Sequence, residues 1–247
     1  MENLDNYIEA YTKNFEFYEE NVLYLTQYAN HMIASIRNQE HGNVLSLGIG
    51  HEVVGGALAE LYGSFIYSHH IIDGSLKLVE EYVKNHPSET LRVEHVYFED
   101  FQSDFKFDAL EMGFVLEHVD DPGLILRRYH NMLQDDGTLY IAVPNAKSLH
   151  RLIGHHAGML NDMYALSEAD FKLGHKRYFD IDSITKLVED SGYVIEDVKG
   201  LMLKPITGGQ MKQLDWNQEV MKALMILGDN MPAVSNCIYI EAKKQPK

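Results

Sequence analysis

Cysteine is nearly absent from this chain: Cys237 is the only one in 247 residues. A lone thiol closes no internal disulfide and builds no cysteine-based zinc site, so stability must come from an apolar core, and a reducing cytoplasm is the expected location. Positive charge is scarce too, with 21 Lys and Arg against 37 Asp and Glu and a formal net charge of −16. Such a surface repels phosphate backbones and no Lys/Arg run interrupts it, which argues against a nucleic-acid partner. No apolar stretch approaches the roughly 20 residues of a membrane helix, so no membrane partner is expected. The opening MENLDNYIEAY has neither the basic nor the apolar segment of a secretory signal, and export is not expected. No internal repeat or low-complexity tract occurs.

What is present is 45% hydrophobic and 23% charged residues, enough for one main domain with an added cap at a domain scale of roughly 100–200 residues. From Leu4 to about Arg37, apolar and aromatic residues recur at three- and four-residue spacing, which predicts a helical cap over residues 1–41. NVLSLGIG then reads as a buried strand turning into a glycine loop, with a helix over roughly Val53–Tyr62. FIYSHHIID, LRVEHVYF, FDALEMGF and TLYIAVPN read as further strands, and SLKLVEEYVKNH and DPGLILRRYHNML as helices between them. This alternation over residues 42–145 predicts an α/β fold with a mostly parallel sheet covered on both faces. Residues 146–179 lose the pattern and read as a lid or substrate-binding insertion after the fifth strand. In 180–247, DIDSITKLVEDSG is a helix with Asp180 as N-cap and Gly192 past its end. YVIEDVKGLMLKP and SNCIYIEAKK are closing strands joined by the helical stretch DWNQEVMKALMILG.

Chemistry concentrates at the first strand–turn–helix. Gly48 and Gly50 let a ligand approach the backbone, and Asp73 ends the next strand where an acid can accept both ribose hydroxyls. Val53 stands where a dinucleotide fingerprint wants its third glycine, which disfavours a nicotinamide oxidoreductase, and no phosphate-cradling Lys-Ser/Thr loop is present. In order along the chain, LSLGIG, IIDGS, FED, FDALEMGFVLEHVDDP, LQDDGTLYIAVPN and GHKRYFD make the sequence resemble the class I S-adenosylmethionine-dependent methyltransferases, in particular those acting on small molecules.

The resemblance implies a Rossmann-like, seven-stranded sheet and S-adenosylmethionine as cofactor, released as S-adenosylhomocysteine. It implies that Gly48 and Gly50 line the methionine portion, that Asp73 and Gly74 meet the ribose, and that Glu99 or Asp100 meets the adenine amino group. Met112, Gly113 and Phe114 would end the fourth strand beside the sulfonium, and Tyr11 or Tyr18 would cover the cofactor. Each has a plainer alternative: a solvated strand end for Glu99 and Asp100, and core packing for Phe114 and the tyrosines. Two positions depart from the family pattern. Ser46 stands where an acid is usual, which removes a negative charge near the cofactor's amino group, and Glu52 stands where a third glycine is usual.

Methyl transfer from a sulfonium needs mainly an acceptor held in line, helped by a base when the acceptor is a hydroxyl. His118 and His175 are the candidate bases, with a structural and a surface role as their alternatives. Arg151, Lys176, Arg177 and Lys204 are candidate contacts to an anionic acceptor, or partners for local carboxylates. His69 and His70 point to opposite faces of a strand, and His155 and His156 lack ligand spacing even with Asp162, so no metal is expected. The expected function is methyl transfer to oxygen or nitrogen of a small polar metabolite, anionic or sugar-linked, with the oligomeric state open. A methyltransferase fold that binds without turnover, motivated by Ser46 and Glu52, is the alternative.

Overall fold

The computed structural model describes residues 3–39, 42–214 and 216–245. Glu40 and His41, at the boundary of the helical cap, and Asp215, which opens the DWNQEV stretch, lie outside the described residues. A 3-10 helix, Leu4–Tyr11, leads into α1 (Tyr18–Gln39), and then β1 (Asn43–Leu47), α2 (Val53–Ala59), β2 (Ser68–Asp73), α3 (Leu76–Asn85) and β3 (Leu91–His95) follow. Next come β4 (Phe107–Gly113), α4 (Pro122–His130), β5 (Leu133–Pro144), α5 (Leu149–His156), α6 (Glu168–Leu173) and α7 (Ile181–Asp190). β6 (Tyr193–Leu201), α8 (Gly208–Gln213), α9 (Gln218–Asn230) and β7 (Cys237–Lys244) close the chain.

The strands form a 7-stranded sheet in the order β3-β2-β1-β4-β5-β7-β6. β1 to β5 run parallel, and β7 is inserted antiparallel between β5 and β6. The apolar runs read as strands are apolar on both sides because both sheet faces are covered. One face packs Leu45, Leu47, Leu110 and Met112 against Ile125, Leu126 and Tyr129 of α4 and Ile184 and Val188 of α7. The other packs Val44, Ala109 and Tyr140 against Tyr28, Met32 and Ile36 of α1 and Leu58 of α2. The expected α/β architecture is therefore present.

The N-terminal cap differs from one continuous helix. The backbone N–H and the hydroxyl of Thr12 both donate to the Glu9 carbonyl, at 3.2 and 2.9 Å, so a local side-chain bond ends the first turns and the chain restarts at Tyr18. α2 stops at Ala59 because Leu61 and Tyr62 bond back three residues, to Leu58 and Ala59, and tighten the chain into a turn. Residues 146–179, expected to be irregular, contain two short helices. α6 is fixed by a reciprocal Ser167–Asp170 capping box and by Gly174 in the left-handed conformation. A similar Thr207–Gln210 box starts α8, and Asn217 caps α9. Asp180 caps α7 as expected, and Gly192 follows it at φ +93°.

Candidate active site

The parallel strands end together, and the loops leaving β1, β2 and β4 enclose a cavity of about 190 Å³. On leaving β1 the chain reverses through Gly48 at φ +90° and Gly50 at φ +55°, and beside Gly50 a side chain would point into empty space. Asp73 fastens this turn to the end of β2. One of its carboxylate oxygens accepts from the Ile49 N–H at 2.9 Å and the other from the Ser75 N–H at 2.7 Å. Burial raises the Asp73 pKa, and these two donors oppose the rise. Each oxygen retains a lone pair for a ligand hydroxyl.

Ser46 and Glu52, the two departures, find structural explanations. Ser46 lies in register with Glu111 on the neighbouring strand β4. The Ser46 hydroxyl is 2.9 Å from Nε2 of His69, while the Glu111 carboxylate accepts from the Tyr28 hydroxyl at 3.0 Å and the Gly113 N–H at 2.7 Å. Glu111 lines the cavity, so a carboxylate stands beside the position where the sequence lacks one, supplied by the next strand. Burial pushes it up to about 7. Glu52 takes up the left-handed conformation at φ +62°, and its carboxylate lies 3.1 Å from Nε2 of His86, away from the residues lining the cavity.

The 3-10 helix forms the roof. Leu4, Tyr7 and Tyr11 line the cavity, and Asp5 is anchored by the Ser75 hydroxyl at 2.7 Å. His51 sits between the rings of Tyr11 and Tyr18, at 5.3 and 5.4 Å, and 3.1 Å from the Asn21 amide nitrogen. Burial pushes this imidazole down to about 4, so it is neutral at physiological pH.

At the opposite end, His118 and His175 come together with ring centroids 4.8 Å apart, edge to face. Two loops are laced to bring them there. The Lys176 N–H donates to the Glu117 carbonyl at 2.8 Å, and the Arg177 guanidinium donates to the carbonyls of Leu116, Val119 and Asp120. His175 Nδ1 lies 2.9 Å from the Asp170 carboxylate, which also accepts from Tyr178 and Ser167. Burial raises Asp170, but the bonds from His175 and Ser167 outweigh it and hold the carboxyl well below its usual range. Burial, with His175 adding to it, pushes His118 down to about 3, which leaves it neutral and weakly basic. His175 with its Asp170 support is the better-placed proton acceptor of the two. Behind them, Glu117 is fully buried with neither carboxylate oxygen hydrogen-bonded, and burial pushes it up to about 7. One ligand-type atom from each of Glu117, His118 and His175 lies within 4.8 Å of the others.

Of the residues singled out in the sequence, Tyr11, Gly48, Gly50, Asp73, Gly113, Phe114, His118 and His175 line this one cavity. Phe114 holds φ +61°, unusual for a bulky side chain, at the exit of β4 beside Tyr24. Tyr18, Gly74, Glu99, Asp100 and Met112 do not line it. Tyr18 packs against His51, which does line the cavity, and Met112 points into the core below the sheet because alternate strand residues face opposite ways. Gly74 packs against Leu4 and Tyr97, and Phe98 lines the wall next to Glu99 and Asp100. Glu111, Asp170 and Glu117 escaped the sequence reading. For Asp170 the Ser-x-x-Asp capping pattern was a signal, whereas Glu111 gave none beyond an acid inside an apolar strand. The four basic residues near the insertion are engaged: Arg151 with the Met163 and Ala165 carbonyls, Lys176 with Asp120, Arg177 as above, and Lys204 with Glu20.

A methyltransferase domain family model matches residues 13–198, more than half of the chain. The chain belongs to the class I S-adenosylmethionine-dependent methyltransferases. Solved structures of similar fold include a chain of the complex between the Haloferax volcanii Trm112 methyltransferase activator and a methyltransferase, 16% identical with a TM-score of 0.66 over 100% of both chains. The N-methyltransferase NodS from Bradyrhizobium japonicum, in complex with S-adenosyl-L-homocysteine, is 10% identical with a TM-score of 0.56, covering 95% of this chain and 90% of its own. An S-adenosylmethionine-dependent methyltransferase from Mesorhizobium loti is 14% identical with a TM-score of 0.58, covering 85% and 96%. No curated protein matches the sequence. In this methyltransferase, then, the cavity at the strand ends lies where open α/β sheets hold their ligands.

Proposed function

We propose that the methyltransferase binds S-adenosylmethionine with its ribose on Asp73, its methionine portion along the Gly48–Gly50 turn and its ammonium on Glu111, and passes the methyl group to a small hydroxyl- or amine-bearing metabolite held at His175. The observation that carries this reading is the convergence of the glycine turn, Asp73 and the His118–His175 pair on one cavity. Bound there, S-adenosylmethionine would supply an activated methyl group whose sulfur keeps the electrons of the broken bond as the acceptor's lone pair forms the new one, and the His175 imidazole, whose other nitrogen Asp170 holds, would take the proton lost by the acceptor.

The roof formed by the 3-10 helix supports a small acceptor rather than a macromolecule. Lys176 is the one Lys or Arg side chain lining the cavity among the described residues, and it is paired with Asp120, so a neutral polyol or amine fits better than an anion. Glu111 in place of an acid at Ser46, and Glu52 turned toward His86, support turnover over a binding-only fold. The test is transfer of label from methyl-labelled S-adenosylmethionine to a metabolite extract. Label in the small-molecule fraction supports the reading, and label confined to protein or nucleic acid overturns it. The Haloferax neighbour's activator makes a protein partner the first addition to try if cofactor binds without turnover.

A further inference from the structure

We propose that Glu117, His118 and His175 form a binding site for a divalent first-row transition-metal ion at the acceptor end of the cavity. Four observations lead there. First, one donor atom from each lies within 4.8 Å of the others, whereas ligands about 2.0–2.2 Å from a common ion stand roughly 3–3.5 Å apart, a closure that side-chain rotation supplies. Second, Glu117 is completely buried and neither carboxylate oxygen has a hydrogen-bond partner, which leaves both free to accept a cation in place of a proton. Third, the His175 imidazole is already oriented by a second partner, the Asp170 carboxylate, which lies 2.9 Å from its Nδ1. Such an outer partner fixes the tautomer and aims the remaining nitrogen at a metal. Fourth, the Lys176 N–H to the Glu117 carbonyl and the Arg177 bonds to three carbonyls hold the two ligand-bearing loops together before any ion arrives.

Two imidazoles and one carboxylate suit zinc, iron(II), cobalt(II) or nickel, and suit magnesium and calcium poorly. His118 and His175 line the cavity while Glu117 lies behind them, so the remaining coordination positions face the acceptor space. Three protein ligands with open positions make a reactive centre rather than a closed structural one. An acceptor oxygen bound there would be more acidic, and His175 would then serve as ligand instead of base. The inference rests on the proposed function only for what occupies those open positions, since metal uptake itself does not depend on it.

The test uses the untagged 247-residue chain, stripped with chelator and titrated with cobalt(II) while its visible absorption is followed. The expected result is saturation at one equivalent per chain, displacement by zinc, and at least tenfold weaker binding in Glu117→Gln and in His175→Ala. His155→Ala, on α5 with its ring bonded to the Leu160 carbonyl and outside the cluster, should bind as wild type. No saturable absorption in the wild type, unchanged affinity in both ligand variants, or loss of binding in His155→Ala overturns the proposal. Where the ligand variants fail to fold, X-ray absorption of the wild-type zinc complex decides: nitrogen and oxygen ligands with two imidazoles sustain it, and a sulfur ligand or no ordered shell overturns it. Titration of the same samples with S-adenosylhomocysteine separates the readings. Metal binding without cofactor binding sinks the proposed function alone, and the reverse result sinks the metal site alone.

Discussion

The cavity's two ends are built from different kinds of sequence. At one end Gly48, Gly50 and Asp73 come from a single strand–turn–helix–strand unit, and one carboxylate bonded to Ile49 and Ser75 holds the whole turn. At the other, His118 leaves β4 while His175 follows α6, and their meeting depends on Asp170, Arg177 and the Glu117 backbone. The glycine turn and Asp73, proposed to hold the cofactor, thus come from one stretch of sequence, whereas the end proposed to hold the acceptor is assembled across segments distant in sequence. A change at one end should therefore leave the other nearly intact.

The largest expected effect lies at the assembled end. His175→Ala should lower kcat by about 10²–10⁴, the usual contribution of a positioned acid or base, while S-adenosylhomocysteine affinity stays within about twofold of wild type by calorimetry. A comparable loss of cofactor affinity would break the separation of the two ends. Asp73→Ala is the reciprocal change. Losing the buried carboxylate proposed to accept two ribose hydroxyls should weaken cofactor binding by roughly 30–100-fold, or about 2–3 kcal/mol, and unchanged affinity would show that the ribose lies elsewhere.

Glu111 sharpens the comparison through pH. Its carboxyl is raised by burial from an ordinary 4.5 to about 7. A raised acid stabilises the fold fully below its unfolded value, near pH 4.5, and that contribution is lost as pH rises through about 7. Glu111→Gln should remove this slope, so denaturant unfolding at pH 5 and pH 8 should show the variant gaining on wild type by at most about 3 kcal/mol. Parallel profiles would mean that Glu111 is ionised at neither pH or at both. Because the ionised form is the one that meets an ammonium group, wild-type cofactor binding should also strengthen between pH 6 and pH 8, and the variant's should not. The smallest effect is at Glu52, whose φ of +62° favours glycine. Glu52→Gly should change unfolding free energy by about 1 kcal/mol or less with cofactor affinity unaltered, and weakened binding would place Glu52 at the ligand after all.

What could be read in the sequence follows the same division. The parallel sheet, the glycine turn and Asp73 were legible because period, glycine and strand-terminal acid lie close together in the chain. His118 and His175 were legible as residue types, but their contact was not, since nothing in LEHV or GHKRYF states that Arg177 ties one loop to the other. Glu111 was hidden because an acid within FDALEMGF reads as an outward residue, and only the register opposite Ser46 shows that it serves the cavity. Glu99 and Asp100 were reached through motif position, yet a turn at Tyr97–Asp100 brings Phe98 to the wall instead. Glu117 and His118 could not be grouped with His175 from the sequence, because the two segments meet only in the fold, whereas the histidine pairs visible in the sequence are the adjacent ones.

The central claim is that the cavity bounded by Gly48, Gly50, Asp73 and Glu111 is the cofactor site. Calorimetric titration of the purified chain with S-adenosylhomocysteine tests it most directly. The account predicts one site per chain with micromolar or tighter affinity and a rise in melting temperature, because a ligand that binds only the folded state stabilises it. No heat and no stabilisation at millimolar ligand would contradict it.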